Sequence, residues 1–290
     1  MNKLALGTVQ FGMNYGIAND SKKTFPQKSI SEILKLAKLS KITTLDTAID
    51  YGSSEKNLGK ENLDSFDVIT KISNIPLLEK NIYSWIRKEV ALSLQRLNQN
   101  KIYGVLLHKA SDLNGPHGKK IYEALSILKE ERIISKIGIS IYSPSELDNI
   151  VSNFDIDIVQ SPFNVFDTRL NTSGWMNKLH QANIEIHTRS TFLQGLLLMD
   201  LKDIPTKFSK WANLFALWDK TVEQSNMNKM EACIQFSSSF NEIDKVIFGV
   251  DNVEQFKEVS EYNFLNKYNN LCDMSSNDEY LINPTKWSLL

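Results

Sequence analysis

Ile42-Thr43-Thr44-Leu45-Asp46, with Tyr51-Gly52 following five positions after the acid, is the stretch that decides the fold. A short apolar and β-branched run stops on a carboxylate, and a helix-like segment follows. The phrase recurs at Leu4–Thr8, Ile42–Asp46, Phe66–Lys71, Tyr103–His108, Ile134–Ser140, Asp155–Gln160, Ile184–Ser190 and Asp244–Gly249. Most of these runs are continuously apolar, as strands covered on both faces are. Helical spacing fills the gaps between them: Ile30, Ile33, Leu34, Ala37 and Leu39 form one stripe, and Ile86, Val90, Leu94 and Leu97 another. Ser143-Pro144-Ser145-Glu146 reads as a capping box with proline at the first helical position, and Asn252 with Gln255 is a weaker start signal.

Eight strand–helix repeats predict an α/β fold, a closed parallel (β/α)8 TIM barrel forming one domain over residues 1–290. An open doubly wound sheet is the rival, but no Gly-x-Gly-x-x-Gly follows any of the runs. Two stretches exceed a simple crossover: residues 9–29, before the first clear helix, and residues 191–243, which contain Trp211, Trp218 and the run Met230–Phe236 and predict an extra helical segment before the eighth strand. Residues 258–290 predict a C-terminal tail packed on the barrel.

The 290 residues are 42% hydrophobic with a net charge of −1. That composition supports a large core and provides no basic face for nucleic acid or an anionic membrane. No apolar run is long enough to span a bilayer, and the opening Met1-Asn2-Lys3 with Leu4–Gly7 is too short for a signal-peptide core. Cys233 and Cys272 form neither a disulfide framework nor a metal spacing, so two reduced thiols in a cytoplasmic protein without a metal are expected.

The chemistry lies where the runs stop. Asp46, Lys71 and His108 close three successive runs, and Tyr51 follows the first of them. Strand ends that adjoin in a barrel bring such residues together. A free phenol titrates near 10, too high for a good acid at neutral pH. A neighbouring ammonium favours the phenolate, and Asp46 would hold that ammonium charged. His108 would be a second donor to the same substrate oxygen. The set suits protonation of a carbonyl oxygen while hydride reaches the carbon, which implicates a nicotinamide cofactor.

Leu45-Asp46-Thr47-Ala48-Ile49-Asp50-Tyr51-Gly52, followed by Ser54-Glu55 and Leu58-Gly59, resembles the signature of the aldo-keto reductases around their catalytic acid and tyrosine. Lys71 and His108 fall at the matching strand ends. Leu4, Gly7-Thr8 and Gln10-Phe11-Gly12 resemble the family's opening strand, and Ile137–Ser140, Val159–Asn164, Phe192–Leu196 and Ile247–Gly249 match later strand ends in order, so the resemblance runs over nearly the whole chain. It implies a barrel that reduces aldehydes or ketones with NAD(P)H, usually NADPH. Carried over by position, Tyr51 is the acid/base, Lys71 and Asp46 tune it, and His108 orients the carbonyl. Gly7, Thr8, Ser140 and Gln160 would lie against the cofactor, the last two on its carboxamide. Gly249, Asn252 and Gln255 would surround its phosphates. Tyr15 and Phe163 are the aromatics expected in the substrate pocket, with Phe166 beside them.

Three positions depart from the family pattern. Ile141 follows Ser140 where many members have asparagine. Arg189 stands where many have an aromatic on the nicotinamide, and is expected to stack on the cofactor or to grip an acidic substrate. Asp251 stands where a cation often binds the 2′-phosphate, so NADPH is favoured by resemblance while NADH stays open; Lys245 or Lys257 could compensate. Asn164–Leu170 and Thr188–Leu197 resemble a branch linked with bacterial surface polysaccharides, which suggests a sugar-type carbonyl among small-molecule substrates. Two other readings stand beside the reductase: a cofactor-binding sensor with little turnover, and a barrel lyase or epimerase using Lys71 as a Schiff base or a metal at His108 and His187. The oligomeric state is not legible in the sequence.

Overall fold

The computed structural model describes residues 2–17, 25–73, 75–76, 78–261 and 274–290. Eight parallel strands close into a barrel in sequence order: β1 Leu4–Gly7, β2 Thr44–Asp46, β3 Asp67–Ile72, β4 Ile102–Leu107, β5 Ile134–Ser140, β6 Ile158–Pro162, β7 Glu185–Arg189 and β8 Lys245–Phe248. The ring closes because Leu4, Ala5 and Leu6 pair with Val246, Ile247 and Phe248. The doubly wound alternative is excluded by this closure. The predicted runs and the observed strands agree to within three residues at each end.

The ring crossings carry α1 Gln27–Leu39, α2 Ser54–Leu58, α3 Ile82–Leu97, α4 Gly118–Glu130, α5 Leu147–Ile150, α6 Arg169–Thr172 and α7 Trp175–Gln181. Their apolar stripes face the strands. Ile30, Ile33, Leu34 and Ala37 of α1 are buried, as are Ile86, Val90 and Leu97 of α3, while Leu39 at the end of α1 is exposed. Each such aliphatic side chain contributes about 1.5–3 kcal/mol by leaving water. The capping box at Ser143 and Glu146 forms, opening a 3-10 turn that leads into α5.

Inside the ring, Ile69, Leu106 and Ile158 form a separate apolar plug with Tyr103 against it. They come from β3, β4 and β6, which are not all adjacent, so they meet only across the barrel interior. Gly138 on β5 leaves room for them: a Cβ there would lie 2.9 Å from both Leu106 Cγ and Ile158 Cβ. The plug closes the floor beneath the C-terminal strand ends.

The extra helical segment between β7 and β8 is present as 3-10 turns followed by α8 Ala212–Ser225 and α9 Lys229–Ser238, the latter opened by an Asn228–Glu231 capping box. After β8 comes α10 Val253–Glu261. The tail, with α11 Glu279–Ile282, packs Leu281, Ile282 and Trp287 against Phe208, Trp211, Phe215 and Trp218. The indoles of Trp218 and Trp287 donate to Leu197 O and Leu281 O at 2.9 and 3.0 Å, which removes the cost of burying them unpaired. Among the described residues no helix is long and apolar enough to cross a membrane. Cys233 is a buried thiol on α9, and Cys272 lies outside the described residues.

Candidate active site

The C-terminal ends of β2, β3, β4 and β6 meet on one charged group. Lys71 is fully buried, and its Nζ donates to Asp46 Oδ2 at 2.6 Å, to Thr47 O at 3.0 Å and to Tyr51 Oη at 3.4 Å. The second oxygen of Asp46 accepts from Gln160 Nε2 at 2.7 Å. An ammonium this deep survives only because every donor position is met.

Tyr51 reaches the lysine from the turn after β2. Ser54 pins that turn by donating to Thr8 O at 2.8 Å. Gly12 makes the approach possible, because a Cβ there would sit 1.9 Å from Tyr51 O and 2.2 Å from Ser54 N. Gly52 takes φ +58°, a region that suits glycine. The His108 ring stands edge-on to the Tyr51 ring, 6.0 Å between centroids. Its Nδ1 lies 3.9 Å from Asp50 Oδ2, and Ser73 also bonds Asp50. Asp50 stands on the cavity wall beside the imidazole.

Burial pushes the His108 pKa down to about 4, with the Lys71 charge adding to the effect, so the ring is neutral at pH 7. Burial also lowers the Lys71 ammonium, opposed by Asp46. The expectation that the lysine makes the phenol more acidic is not met. Burial raises the Tyr51 pKa and the Asp46 charge adds to the rise, while Arg189 opposes both. Burial is the main cause, and Lys71 lies nearer to the carboxylate, 2.6 Å, than to the phenol, 3.4 Å. Tyr51 thus keeps its proton throughout the neutral range.

A cavity of about 840 Å³ opens over this cluster. Its wall includes Gly7, Thr8, Tyr15, Asp46, Tyr51, His108, Gln160, Arg189, Gly249 and Gln255, all singled out in the sequence. Ser140 is buried at the end of β5, in register with Gln160, and stays off the wall. Asn252 spends its side chain on Gln255 N, 2.7 Å, starting α10. Phe163 is a correction. It is fully buried, stacked on Phe236 and edge-on to Phe240 behind the barrel wall, so it does not reach the cavity. Phe166 is likewise buried, against Phe215. Both follow a strand end, but their side chains point into the layer under the extra helices. Asp167 and Arg169 form an ion pair there at 2.8 Å.

Several wall residues were not singled out. Gln10 hydrogen-bonds Asp251 near the far end of the cavity. Gln194 donates to Tyr15 Oη at 3.1 Å. Tyr142 carries the Arg189 guanidinium on its ring, 4.7 Å from the centroid. Tyr142 stands two residues past a strand end, a position that could have drawn attention to it.

Comparison with known proteins decides which chemistry this geometry belongs to. The model of the aldo/keto reductase family matches residues 3–270. The chain belongs to the aldo/keto reductase family. Among solved structures, an aldo-keto reductase of Bacillus halodurans is 20% identical with TM-score 0.71, covering 90% of this chain and 87% of that one. The glycerol dehydrogenase of Gluconobacter oxydans is 22% identical with TM-score 0.70, covering 90% and 86%. At these identities the likeness speaks for the barrel alone. Among curated protein sequences none matches this chain. As an aldo-keto reductase it is an NAD(P)H-dependent oxidoreductase acting on small carbonyl compounds.

The wall fits a nicotinamide cofactor at the reacting end. Gln160 Oε1 is buried and has no hydrogen-bond partner, and a carboxamide N–H2 is the group that would satisfy it. Gly249 leaves room for the Gln10 amide, since a Cβ there would come within 2.9 Å of Nε2. The start of α10, beside Gly249 and Gln255, offers first-turn N–H groups suited to phosphate.

Proposed function

We propose that this aldo-keto reductase interconverts an aldehyde or ketone with its alcohol, and that Tyr51 is the proton donor in the reducing direction. The chain Tyr51–Lys71–Asp46 carries the reading. An ammonium only donates, so the phenol oxygen accepts from Lys71 and its own proton remains for the substrate. When that proton leaves, the phenolate is born beside a cation, which stabilises the charge as it develops. Neutral His108 donates a second hydrogen bond to the same carbonyl oxygen and orients it. The nicotinamide supplies the hydride. Gln160 holds the carboxamide, and the plug of Ile69, Leu106 and Ile158 keeps water from entering below.

We assign the far end of the cavity to the adenosine moiety and infer that NADH is accepted at least as well as NADPH. Asp251 and Glu258 line that end. Lys257 is engaged with Glu32 at 3.5 Å, and Lys245 reaches Asn2 O at 3.4 Å at the opposite end of the barrel. Neither compensates for Asp251. The polar wall at Asp50, Tyr15 and Gln194 supports a hydroxylated, sugar-type carbonyl, and the need for reduced nicotinamide supports a cytoplasmic location.

Fluorescence titration with NADH and NADPH, followed by a panel of hydroxylated aldehydes, tests the proposal. Tyr51→Phe should bind cofactor within about threefold of the native enzyme and lose at least about a hundredfold in kcat. Cofactor binding with no carbonyl consumed by the native enzyme would replace the reductase with the sensor.

A further inference from the structure

Arg189 is a cation without a counter-ion at the mouth of the cavity. No ion pair among the described residues includes it, although Asp46 and Asp50 line the same wall. Asp46 is occupied by Lys71 and Gln160, and Asp50 by Ser73 and His108. The guanidinium is half-buried, its Cζ over the Tyr142 ring, 4.7 Å from the centroid. Nη2 donates to Ile141 O at 3.0 Å and Nη1 to Ser190 Oγ at 3.3 Å. A guanidinium has five N–H donors, so more than half remain for a ligand.

The seat is built rather than incidental. Tyr142 N donates to Glu146 Oε1 at 2.7 Å, and Tyr142 O accepts from Arg169 Nη2 at 3.0 Å. Arg169 is itself locked to Asp167. A fixed aromatic face under a guanidinium holds its edge in one direction, which is what bidentate recognition of an oxyanion needs. Position then separates cofactor from substrate. Arg189 leaves β7 and crosses the end of β6 to reach Ile141, just past β5. It leans away from β8 and from the helix start at α10 where phosphates of a dinucleotide are accommodated. Its charge is felt by Tyr51, Lys71 and His108, so it stands close to the reacting carbonyl.

We infer that Arg189, seated on Tyr142, binds an anionic group of the substrate, a carboxylate or phosphoryl group a few bonds from the carbonyl. The inference rests on the reductase reading and deepens it: the hydroxylated carbonyl compound is an acid or a phosphate ester.

The test uses matched aldehydes, 2-carboxybenzaldehyde against benzaldehyde and glyceraldehyde 3-phosphate against glyceraldehyde, with NADH saturating. The quantity read is the ratio of kcat/KM for the anionic member to that for the neutral one, in which a general loss of turnover cancels. The native enzyme should prefer the anionic member of at least one pair by about tenfold or more, and the better pair identifies carboxylate or phosphoryl. Arg189→Gln should bring the ratio to near one, and Arg189→Lys should keep part of it. Tyr142→Leu, which removes the seat but not the charge, should lower the ratio in the same direction. A native ratio near one in both pairs overturns the inference while leaving the reductase intact. An unchanged ratio in Arg189→Gln, with NADH binding weakened instead, assigns the arginine to the cofactor and overturns it as well. No turnover of any of the four aldehydes sinks the reductase reading itself.

Discussion

Gln160 Nε2 donates to Asp46 Oδ1 at 2.7 Å, tying β6 to β2 across the mouth of the barrel. The bond sets both partners. Asp46 is left one oxygen for Lys71, and Gln160 is left with a buried carbonyl oxygen that has no partner.

Gln160→Met should therefore damage two things at once. Losing a charge-assisted bond to Asp46 lowers stability by about 1.5–3 kcal/mol, and losing the open acceptor raises the NADH dissociation constant by about tenfold. Thermal unfolding and fluorescence titration read the two effects separately. A variant with native affinity would remove Gln160 from the cofactor.

Lys71→Met leaves Asp46 as a buried charge without its cation. Unfolding free energy should fall by about 3–5 kcal/mol, and kcat should fall with it. The double variant with Asp46→Asn should recover part of the stability and none of the activity. If the double variant were no more stable than the single one in urea, the buried charge would not be the cause.

Acid should weaken the fold in two windows. His108 titrates at about 4 in the folded protein and near 6.5 when unfolded. Below pH 6.5 the unfolded chain takes up a proton that the folded ring refuses, so stability drains away between about 6.5 and 4. Glu185 adds a lower window. Burial would raise its pKa, but hydrogen bonds from His187, Lys136 and Tyr103 outweigh burial and hold it at about 2. That contribution is present above the ordinary glutamate range and is lost as pH falls from about 4.5 to 2. Urea midpoints should be level from pH 7 to 8 and decline from 6.5 downward. His108→Gln should flatten the upper window, and an unaltered slope there would refute the assignment.

Asp251→Arg should shift cofactor choice toward NADPH. A guanidinium beside a 2′-phosphate is worth about a tenfold change in affinity or more, while the present carboxylate repels that group. The ratio of NADPH to NADH dissociation constants is the readout. Native enzyme with a strong NADPH preference would place the 2′-phosphate away from residue 251.

Much of the site was legible because strand ends announce themselves. Asp46, Lys71 and His108 each interrupt an apolar run that has no reason to stop on a charge, and Tyr51 follows one of them in a turn marked by Gly52. Phe163 and Phe166 obey the same positional rule and yet lie in the outer layer. Past a strand end the period of two no longer dictates direction, and packing against Phe236, Phe240 and Phe215 turned them inward. Tyr142 stayed hidden because its role exists only with Arg189 on its face, 47 residues further along the chain.

By itself the sequence determined the barrel, its extra helices before β8, its packed tail and the four residues Asp46, Tyr51, Lys71 and His108 that gather at the strand ends. Local periodicity and strand-end residues are short-range properties, and eight repeats of them leave little choice of architecture. The tertiary structure alone decided which way burial and pairing push the titration of that cluster, and where Gln160 and Arg189 stand on the cavity wall. Burial outweighed the lysine at Tyr51, Gln160 was drawn to Asp46, and Arg189 has no counter-ion among the described residues, because desolvation and pairing depend on distances between strands that the linear chain does not encode.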